Sequence, residues 1–251
     1  MGQEEDYIYQ YAKRYTEGLQ GTSAKRTGIL ASVKHFYGDG ATLFGADEGN
    51  AIVSSYKSFI KHNTQGYIGS IAAEVGSVMV SYSAINWLPN AISPSIGALL
   101  RDKLQFDGFV ISDYDEMQRI INQQLPTNFN IMNGTWDSVT TMMNAGIDMF
   151  MIPGWRGIKA VSDVIVGMKE AIKNGTLSIE RLNDAVARIM SVKLALGAAT
   201  QVKASNLANH KPTDTPIPHL STEYEDSLTA VHESLVLLKN NGVIPVNPAN
   251  L

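Results

Sequence analysis

Two predicted strands of this chain end in residues that could carry out hydrolytic chemistry. The segment 108–112 ends at Asp113, and the segment 31–35 ends in Lys34 and His35. Short apolar runs rich in β-branched residues are typical of strands that are buried on both faces of a parallel sheet. A carboxylate at the end of one strand and a cation–imidazole pair at the end of another are the groups that hydrolysis of a sugar linkage needs.

These residues need a scaffold of parallel strands, and the sequence predicts one. Hydrophobic periodicity and turn residues predict four strands before residue 197, at 31–35, 76–82, 108–112 and 146–152. They also predict helices at 4–19, 46–62, 95–104, 136–145, 156–173 and 178–196. Strands that alternate with helices favour a parallel sheet of βα units. A closed (β/α)8 barrel requires eight strands, so four strands predict either an incomplete barrel or a small open α/β sheet.

The C-terminal part of the sequence has a different character. Residues 198–218 are polar and contain three prolines, which is typical of a linker. A helix is predicted at about 222–233, and a strand is predicted to follow it at 234–240. The sequence therefore predicts a second structural unit that begins near residue 219.

Composition and charge exclude several classes of protein. The chain has 251 residues, and its 24 acidic and 20 basic residues give a net charge of -4. This balance argues against a nucleic-acid partner, because nonspecific binding of nucleic acid requires a basic surplus. The lack of cysteine excludes disulfides and thiolate metal sites. No segment approaches the roughly 18 consecutive apolar residues of a membrane-spanning helix, so we expect no membrane partner.

The N-terminal residues do not have the pattern of a secretion signal. Residues 1–15 are acidic and then amphipathic, without a basic segment followed by an apolar core. The compartment is therefore left open. We expect a secreted, periplasmic or lysosomal protein if the full-length protein carries a signal peptide ahead of this sequence.

Six motifs follow one another in the order of a known enzyme family. They are Lys34-His35-Phe36 with Gly38-Asp39-Gly40, the segment 78–83 with Asn86, Gly108-Phe109-Val110-Ile111-Ser112-Asp113, and the segments 145–149, 181–189 and 233–240. From about residue 19 to residue 246 the chain resembles glycoside hydrolase family 3, the family of β-glucosidases and exo-β-glucanases. Any one motif alone is a weak signal, whereas six in order make the resemblance specific.

The resemblance implies the main functional residues. Asp113 matches the catalytic nucleophile of the family, and Lys34 and His35 match the pair that holds sugar hydroxyls in the first subsite. A β-glucoside or an oligosaccharide is the implied substrate.

Three further substrate-binding positions are implied in the same way. Tyr82 matches the tyrosine beside the nucleophile, and Glu48 matches a glutamate that supports the active site from a loop. Tyr114 stands where the family usually has a tryptophan that forms one wall of the leaving-sugar subsite. This departure leaves the aglycone preference open, although tyrosine still offers a ring for stacking.

Three nearby acidic residues receive no catalytic role from the resemblance. Asp39 stands where the hexosaminidase branch of the family has a histidine, which favours the glucosidase and glucanase branch, and a Gly-Asp-Gly turn explains it equally well. Asp115 and Glu116 match nothing in the family pattern, and we expect both to be solvated. No cofactor and no metal site are implied, because the histidines show no ligand spacing.

The resemblance implies an α/β fold of the (β/α)8 TIM-barrel type that is apparently incomplete, with the first strands absent and with the start of a second α/β sandwich domain. Residues 1–197 would form the C-terminal part of the barrel, 198–218 the linker and 219–251 the beginning of the second domain. The family's acid/base carboxylate lies on the second domain, so we expect it not to be present in this chain. Open sheet edges of an incomplete barrel favour self-association.

The implied function is hydrolysis of β-linked glucosides or glucan oligosaccharides by a retaining double-displacement mechanism, with Asp113 as the nucleophile. Two alternatives stay open. In one, the chain is a noncatalytic barrel remnant that binds carbohydrate or a partner subunit. In the other, it is an aldolase-type barrel with Lys34 as a Schiff-base lysine, in which the Ser-Asp-Tyr motif at 112–114 would have no role.

Overall fold

A computed structural model describes residues 4–21, 29–122, 135–195, 221–242 and 244–245 of the chain. Contacts divide the chain into two compact units, Met1–Val202 and Lys203–Leu251. The predicted linker at 198–218 lies outside the described residues, so the predicted domain boundaries remain predictions. In the described ranges, no helix combines the length and the apolar character that crossing a membrane requires.

The first unit is built on parallel strands. In chain order its described strands are β1 (Ser32–Phe36), β2 (Asn50–Ala51), β3 (Ser77–Val80), β4 (Ala84–Ile85), β5 (Leu88–Pro89), β6 (Phe109–Tyr114) and β7 (Met149–Met151). The main sheet has the order β1-β3-β6-β7, and every neighbouring pair in it is parallel. These are four of the eight strands that a closed barrel requires. The smaller sheet has the order β2-β4-β5, in which β2 precedes β3 in the sequence and β4 and β5 follow it.

Helices connect the strands, as the predicted alternation requires. Those of the first unit are α1 (Glu5–Gln20), α2 (Tyr56–Asn63), α3 (Gln65–Ala72), α4 (Ser95–Gly97), α5 (Glu116–Asn122), α6 (Thr135–Ala145), α7 (Gly157–Lys173) and α8 (Ile179–Ala195). A π-helical segment, Ala98–Lys103, continues α4. The second unit contains α9 (Ser221–Ser234).

The central strands are buried on both faces, as their apolar sequences predict. Val78, Val80 and Val110 are each at most 1% exposed. Val78 lies opposite both Val33 of β1 and Val110 of β6, so the three strands run in a common register. Because the strands are parallel, their C-terminal ends meet at one edge of the sheet.

A buried ionic cluster fixes the strands at the opposite end. The fully buried carboxylate of Asp148, the residue before β7, accepts hydrogen bonds from Arg101 at 2.6 Å, from Arg181 at 2.7 Å and from the backbone N–H of Val110 at 2.8 Å. Burial lowers the pKa of Arg101 to about 10. The carboxylate thereby joins β6 and β7 to α8 and to the π-helical segment.

The helix predicted at 46–62 is wrong in its first half. Asn50 and Ala51 instead form β2, which pairs with β4, and α2 begins only at Tyr56. The backbone of Glu48 has a φ of 55°, which a helix cannot accommodate. The side chain of Asn86 closes this loop by accepting a hydrogen bond from the N–H of Val53 at 2.8 Å.

Helix α3 was not predicted, and the strand predicted at 234–240 is wrong. Gly66 and Gly69 lower the helix propensity of α3. Gly69 is nevertheless required, because a Cβ atom there would lie 2.2 Å from the carbonyl oxygen of Tyr9 on α1.

Residues 235–240 have no regular structure, since a strand needs a hydrogen-bonded neighbour and the described part of the second unit contains none.

Candidate active site

The C-terminal ends of β1, β3 and β6 surround a cavity of about 200 Å³. Its walls include His35 from β1, Tyr82 from the loop after β3 and Asp113 from β6, together with Asp39 and Glu48 from the segment between β1 and β2. The edge that carries the carboxyl ends of parallel strands is where barrel enzymes place their chemistry. The fold thus brings together four of the predicted site residues.

His35 lies between two carboxylates. Its Nε2 atom is 3.5 Å from Oδ2 of Asp113, and its Nδ1 atom is 3.5 Å from Oδ2 of Asp39. The hydroxyl of Tyr67 donates a hydrogen bond to the carbonyl of His35 and so holds its backbone. The imidazole can therefore orient Asp113 through one ring nitrogen while Asp39 orients the imidazole through the other.

Asp39 is held by the loop that follows β3. Its Oδ1 atom accepts hydrogen bonds from the hydroxyl of Ser81 and, at 2.9 Å, from the hydroxyl of Ser83. The Ser81 oxygen in turn accepts a hydrogen bond from the N–H of Ser83 at 2.8 Å. With one carboxylate oxygen fixed by the two serines, the other is directed at His35.

Asp113 is held by its immediate neighbours in the sequence. Its side chain is only 13% exposed, and Oδ1 accepts a hydrogen bond from the N–H of Tyr114 at 2.6 Å. The hydroxyl of Ser112 accepts a hydrogen bond from the N–H of Met151 at 2.9 Å, which ties the end of β6 to β7. Oδ2 is left to face His35 and the cavity.

Glu116 is buried, which corrects the expectation that it is solvated. It is 1% exposed, and its Oε2 atom accepts a hydrogen bond from the backbone N–H of Asp113 at 2.9 Å. Burial raises the pKa of Glu116 to about 8, and the negative charge of Asp113 acts in the same direction. The local reason for the burial is the three-residue spacing, which lets a glutamate in a first helical turn reach back to an unpaired N–H.

Tyr82 and Glu48 are linked through Arg119 of α5. The guanidinium of Arg119 forms an ion pair with Glu48 at 2.5 Å and lies 4.3 Å from the centre of the Tyr82 ring. The Tyr82 hydroxyl donates a hydrogen bond to the carbonyl of Tyr114. Burial, followed by the charge of Asp113, raises the pKa of Tyr82 above its ordinary value. Tyr82 is therefore a neutral hydroxyl that braces the loop carrying the candidate nucleophile.

An exposed pair of aromatic rings flanks the end of β6. Tyr114 is 48% exposed, and its hydroxyl accepts a hydrogen bond from the indole N–H of Trp155 at 3.0 Å. Arg156 stacks on the Trp155 ring at 4.6 Å and binds both carboxylate oxygens of Asp115, at 2.6 and 2.5 Å. Asp115 is thus an ion-pair partner with a side chain only 17% exposed, and the expectation that it is solvated is wrong.

Lys34 is not brought to the cavity that holds His35 and Asp113. Its side chain is exposed and lines a separate cavity of about 350 Å³, formed with Tyr11, Tyr15 and Leu19 of α1. Its predicted contact with sugar hydroxyls therefore remains a prediction. In the described residues, no group of three or more metal-ligating side chains is arranged to hold a metal ion.

The sequence model described as the glycosyl hydrolase family 3 N terminal domain matches residues 2–192 of the chain, a span that includes the whole cavity. The chain belongs to glycosyl hydrolase family 3. The family predicted from the six motifs is therefore confirmed, and with it the TIM-barrel type of α/β fold.

Three relatives illustrate the range of this family. The chain is 28% identical over 220 residues to the probable β-glucosidase F of Emericella nidulans, covering 84% of this chain and 21% of that protein. It is 25% identical over 244 residues to a β-xylosidase of Formosa agariphila, covering 94% and 32%. The crystal structure of a mutant of the exo-1,3/1,4-β-glucanase ExoP from a Pseudoalteromonas species is similar with a TM-score of 0.76 and 29% identity, covering 95% and 36%. The chain thus spans about a fifth to a third of the lengths of these family 3 members.

Sequence reasoning did not assign the parts that Asp39, Glu116 and Arg119 have in this family 3 site. The sequence left Asp39 open between a position of the family motif and a turn residue, although Ser81 and Ser83 directly after a strand offered hydroxyls to hold a carboxylate. Glu116 was interpreted as solvated, although its three-residue spacing from Asp113 lets its side chain reach back to that backbone N–H. Arg119 had no sequence signal, because its contacts with Glu48 and Tyr82 depend on tertiary structure.

Proposed function

We propose that this chain supplies the nucleophile and part of the sugar-binding subsite of a retaining β-glycosidase that acts on β-linked glucosides or glucan oligosaccharides. The observation that carries the proposal is the pairing of the largely buried Asp113 carboxylate with His35 at 3.5 Å, at the catalytic edge of the sheet. Membership of family 3 supports the same reaction class.

In the proposed first step, Oδ2 of Asp113 attacks the anomeric carbon of the sugar. The bond to the leaving oxygen breaks, that oxygen takes a proton from an acid, and a glycosyl ester forms on Asp113. In the second step a water molecule attacks the same carbon, gives up a proton to the base and releases Asp113 as a carboxylate. His35 keeps the carboxylate oriented so that attack starts from a preorganised geometry.

We infer that the acid/base carboxyl comes from outside the described wall of the cavity. Asp39 is bound by two serine hydroxyls and faces His35, and Glu48 forms an ion pair with Arg119. Both of these carboxyls are thus engaged by other side chains, and the remaining acidic residue of the wall, Asp47, is exposed. We therefore expect this chain to cleave only substrates whose leaving groups need little protonation.

A β-glucoside is the preferred substrate in this proposal. The cavity wall is polar, and Tyr114, which follows Asp113 in the sequence, is hydrogen-bonded to Trp155; the exposed rings of these two residues offer flat faces to a second sugar or an aryl group. The relatives named above include a β-glucosidase, a β-xylosidase and an exo-1,3/1,4-β-glucanase, so the pentoside is the competing substrate.

The proposal is tested by mixing the chain with 2,4-dinitrophenyl β-glucoside, the matching β-xyloside and the α-glucoside. We expect slow release of dinitrophenolate from the β-glucoside, with β-glucose as the first sugar product by proton NMR. Asp113→Asn should abolish the release, whereas Asp163→Asn, on the exposed surface of α7, should leave it unchanged. A folded chain that releases no dinitrophenolate from any of the three would favour the noncatalytic alternative, and α-glucose as the first product would exclude a retaining mechanism.

A further inference from the structure

Glu116 is a buried acid directly behind the proposed nucleophile. It is 1% exposed, and its contact with Asp113 is the 2.9 Å hydrogen bond that it accepts from the Asp113 backbone N–H. It neither lines the cavity nor contacts the position of a substrate, so the proposed mechanism does not use it. A buried carboxyl group needs either a cation or a proton to compensate its charge.

The charged groups around Glu116 do not supply that cation. Asp113 on β6 and Glu48 in the loop before β2 are both acidic, and Tyr82 after β3 is a neutral hydroxyl. Arg119 lies on the same helix and its positive charge lowers the pKa of Glu116, but this effect is smaller than that of burial and the guanidinium forms its ion pair with Glu48. Helix α6, which packs against α5, carries Asp137 as its one titratable residue. Among the described residues Glu116 has no ion-pair partner of its own.

The energetics of the site follow from this arrangement. Burial is the largest influence on Glu116 and raises its pKa to about 8, while the hydrogen bond from Asp113 opposes the rise and the Asp113 charge adds to it. Because the charge of Asp113 acts on Glu116, the two carboxyl groups do not ionise independently. Asp113 is the more exposed of the two, and its side chain accepts the hydrogen bond from the N–H of Tyr114.

We propose that Glu116 is a positioning residue that carries a proton at neutral pH, so that Asp113 alone holds the negative charge of this buried pair. The inference rests on the proposed function, because a nucleophilic Asp113 must be negatively charged. The neutral carboxyl group of Glu116 accepts the hydrogen bond of the Asp113 backbone without placing a second negative charge beside the Asp113 carboxylate. The coupling is reciprocal, so loss of the charge on Asp113, by substitution or by formation of the glycosyl ester, makes Glu116 more acidic.

The test is a carbon-13 NMR titration of the side-chain carboxyl groups in the intact chain. The wild type should show a carboxyl resonance that titrates near pH 8. That resonance should be absent in Glu116→Gln, which keeps an oxygen to accept the Asp113 N–H, and should remain in Glu180→Gln, a matched change at an exposed glutamate in the first turn of α8. In Asp113→Asn it should titrate at a clearly lower pH.

A helix-capping role alone would not produce the shift in Asp113→Asn. The inference is overturned if no Glu116 resonance titrates above about pH 6, or if Asp113→Asn leaves its titration unchanged. The Asp113→Asn arm decides the question even if Glu116→Gln does not fold.

Failure of the proposed function gives a different result. The wild type is treated with 2-deoxy-2-fluoro-β-glucosyl fluoride before titration, and the trapped form should show the same downward shift as Asp113→Asn. If the reagent leaves Asp113 unmodified while Asp113→Asn still shifts the resonance, the coupled pair stands and the proposed function fails. If Asp113 is modified and the resonance does not move, the inference fails and the function stands.

Discussion

His35 and Asp113 come from strands that do not touch, because β3 lies between β1 and β6, yet Nε2 of His35 is 3.5 Å from Oδ2 of Asp113. The contact spans the end of β3, where Ser81 and Ser83 hold Asp39 against the other nitrogen of His35. Three consecutive strand ends of the sheet are thus coupled through one imidazole. The predictions that follow test what this coupling does.

Replacing His35 with alanine removes the partner that orients Asp113. The contact is 3.5 Å long, so we expect its loss to cost about 1.4 kcal/mol, which corresponds to a roughly tenfold slower reaction of Asp113. The measurement is the rate of dinitrophenolate release from 2,4-dinitrophenyl β-glucoside. His62→Ala, which removes an exposed histidine paired with Glu5, is the matched control and should react like the wild type. Equal rates for both variants would mean that His35 does not position the nucleophile.

Replacing Asp39 with asparagine should act on the reaction through His35. The volume is preserved, but the negative charge that faces Nδ1 is lost, so His35 is less firmly oriented. We expect dinitrophenolate release to slow by about tenfold, corresponding to the loss of about 1.4 kcal/mol. The double variant Ser81→Ala/Ser83→Ala should slow it in the same direction, because it frees the Asp39 carboxylate. An unchanged rate in both variants would show that Asp39 is a turn residue only.

The sequence predicts the strands that carry the site, but it does not predict the buried ionic cluster at the other end of the sheet. The buried apolar runs around Val78 and Val110 predicted their strands correctly, because few other structures accommodate such segments. Parallel strands then place His35 and Asp113 at one edge by geometry alone. Asp148 was part of a recognised motif, but its pairing with two arginines depends on helices distant in the sequence.

Replacing Asp148 with asparagine removes the ion-pair partner of the largely buried Arg101 and leaves Arg181 with its pair to Asp184 at 3.3 Å. We expect the free energy of unfolding to fall by about 3–5 kcal/mol, as measured by urea denaturation. Asp163→Asn, which breaks an exposed pair with Lys159, should change it by less than about 0.5 kcal/mol. If both variants lose equally little stability, the buried cluster does not hold the sheet.

Ionisation of Glu116 should make the wild type less stable as pH rises. The unfolded chain releases this proton near pH 4.5, whereas the folded chain keeps it until about pH 8, so the folded state binds more protons between these values. Stability from this group is complete below about pH 4.5 and is lost progressively up to about pH 8.

The size of this loss is on the order of a few kcal/mol. The measurement is the free energy of unfolding of the wild type and of Glu116→Gln between about pH 5 and pH 8. The free energy of unfolding of the wild type should fall steadily relative to that of Glu116→Gln as the pH rises. Parallel curves would mean that Glu116 ionises normally in the folded chain.

What the sequence could not predict lies where tertiary contacts override local preference. The residues after Asp113 have the polar composition of an exposed first helical turn. Glu116 is nevertheless buried, because its carboxyl group accepts the hydrogen bond of the Asp113 backbone N–H. The two residues 50–51 are too short a segment for their sequence to predict a strand. They form one only because β4 provides a partner for pairing. The glycine at position 69 weakens a helix in isolation and permits its close contact with α1.

The central claim is that Asp113 is a nucleophile, and covalent trapping tests it most directly. The chain is incubated with 2-deoxy-2-fluoro-β-glucosyl fluoride, whose leaving group needs little acid assistance, and is then analysed by intact-mass spectrometry and peptide mapping. We predict one fluoroglucosyl group per chain, located on Asp113, absent from Asp113→Asn and retained in Asp163→Asn. A folded chain that gains no mass, or that is modified at another carboxylate, would contradict the claim.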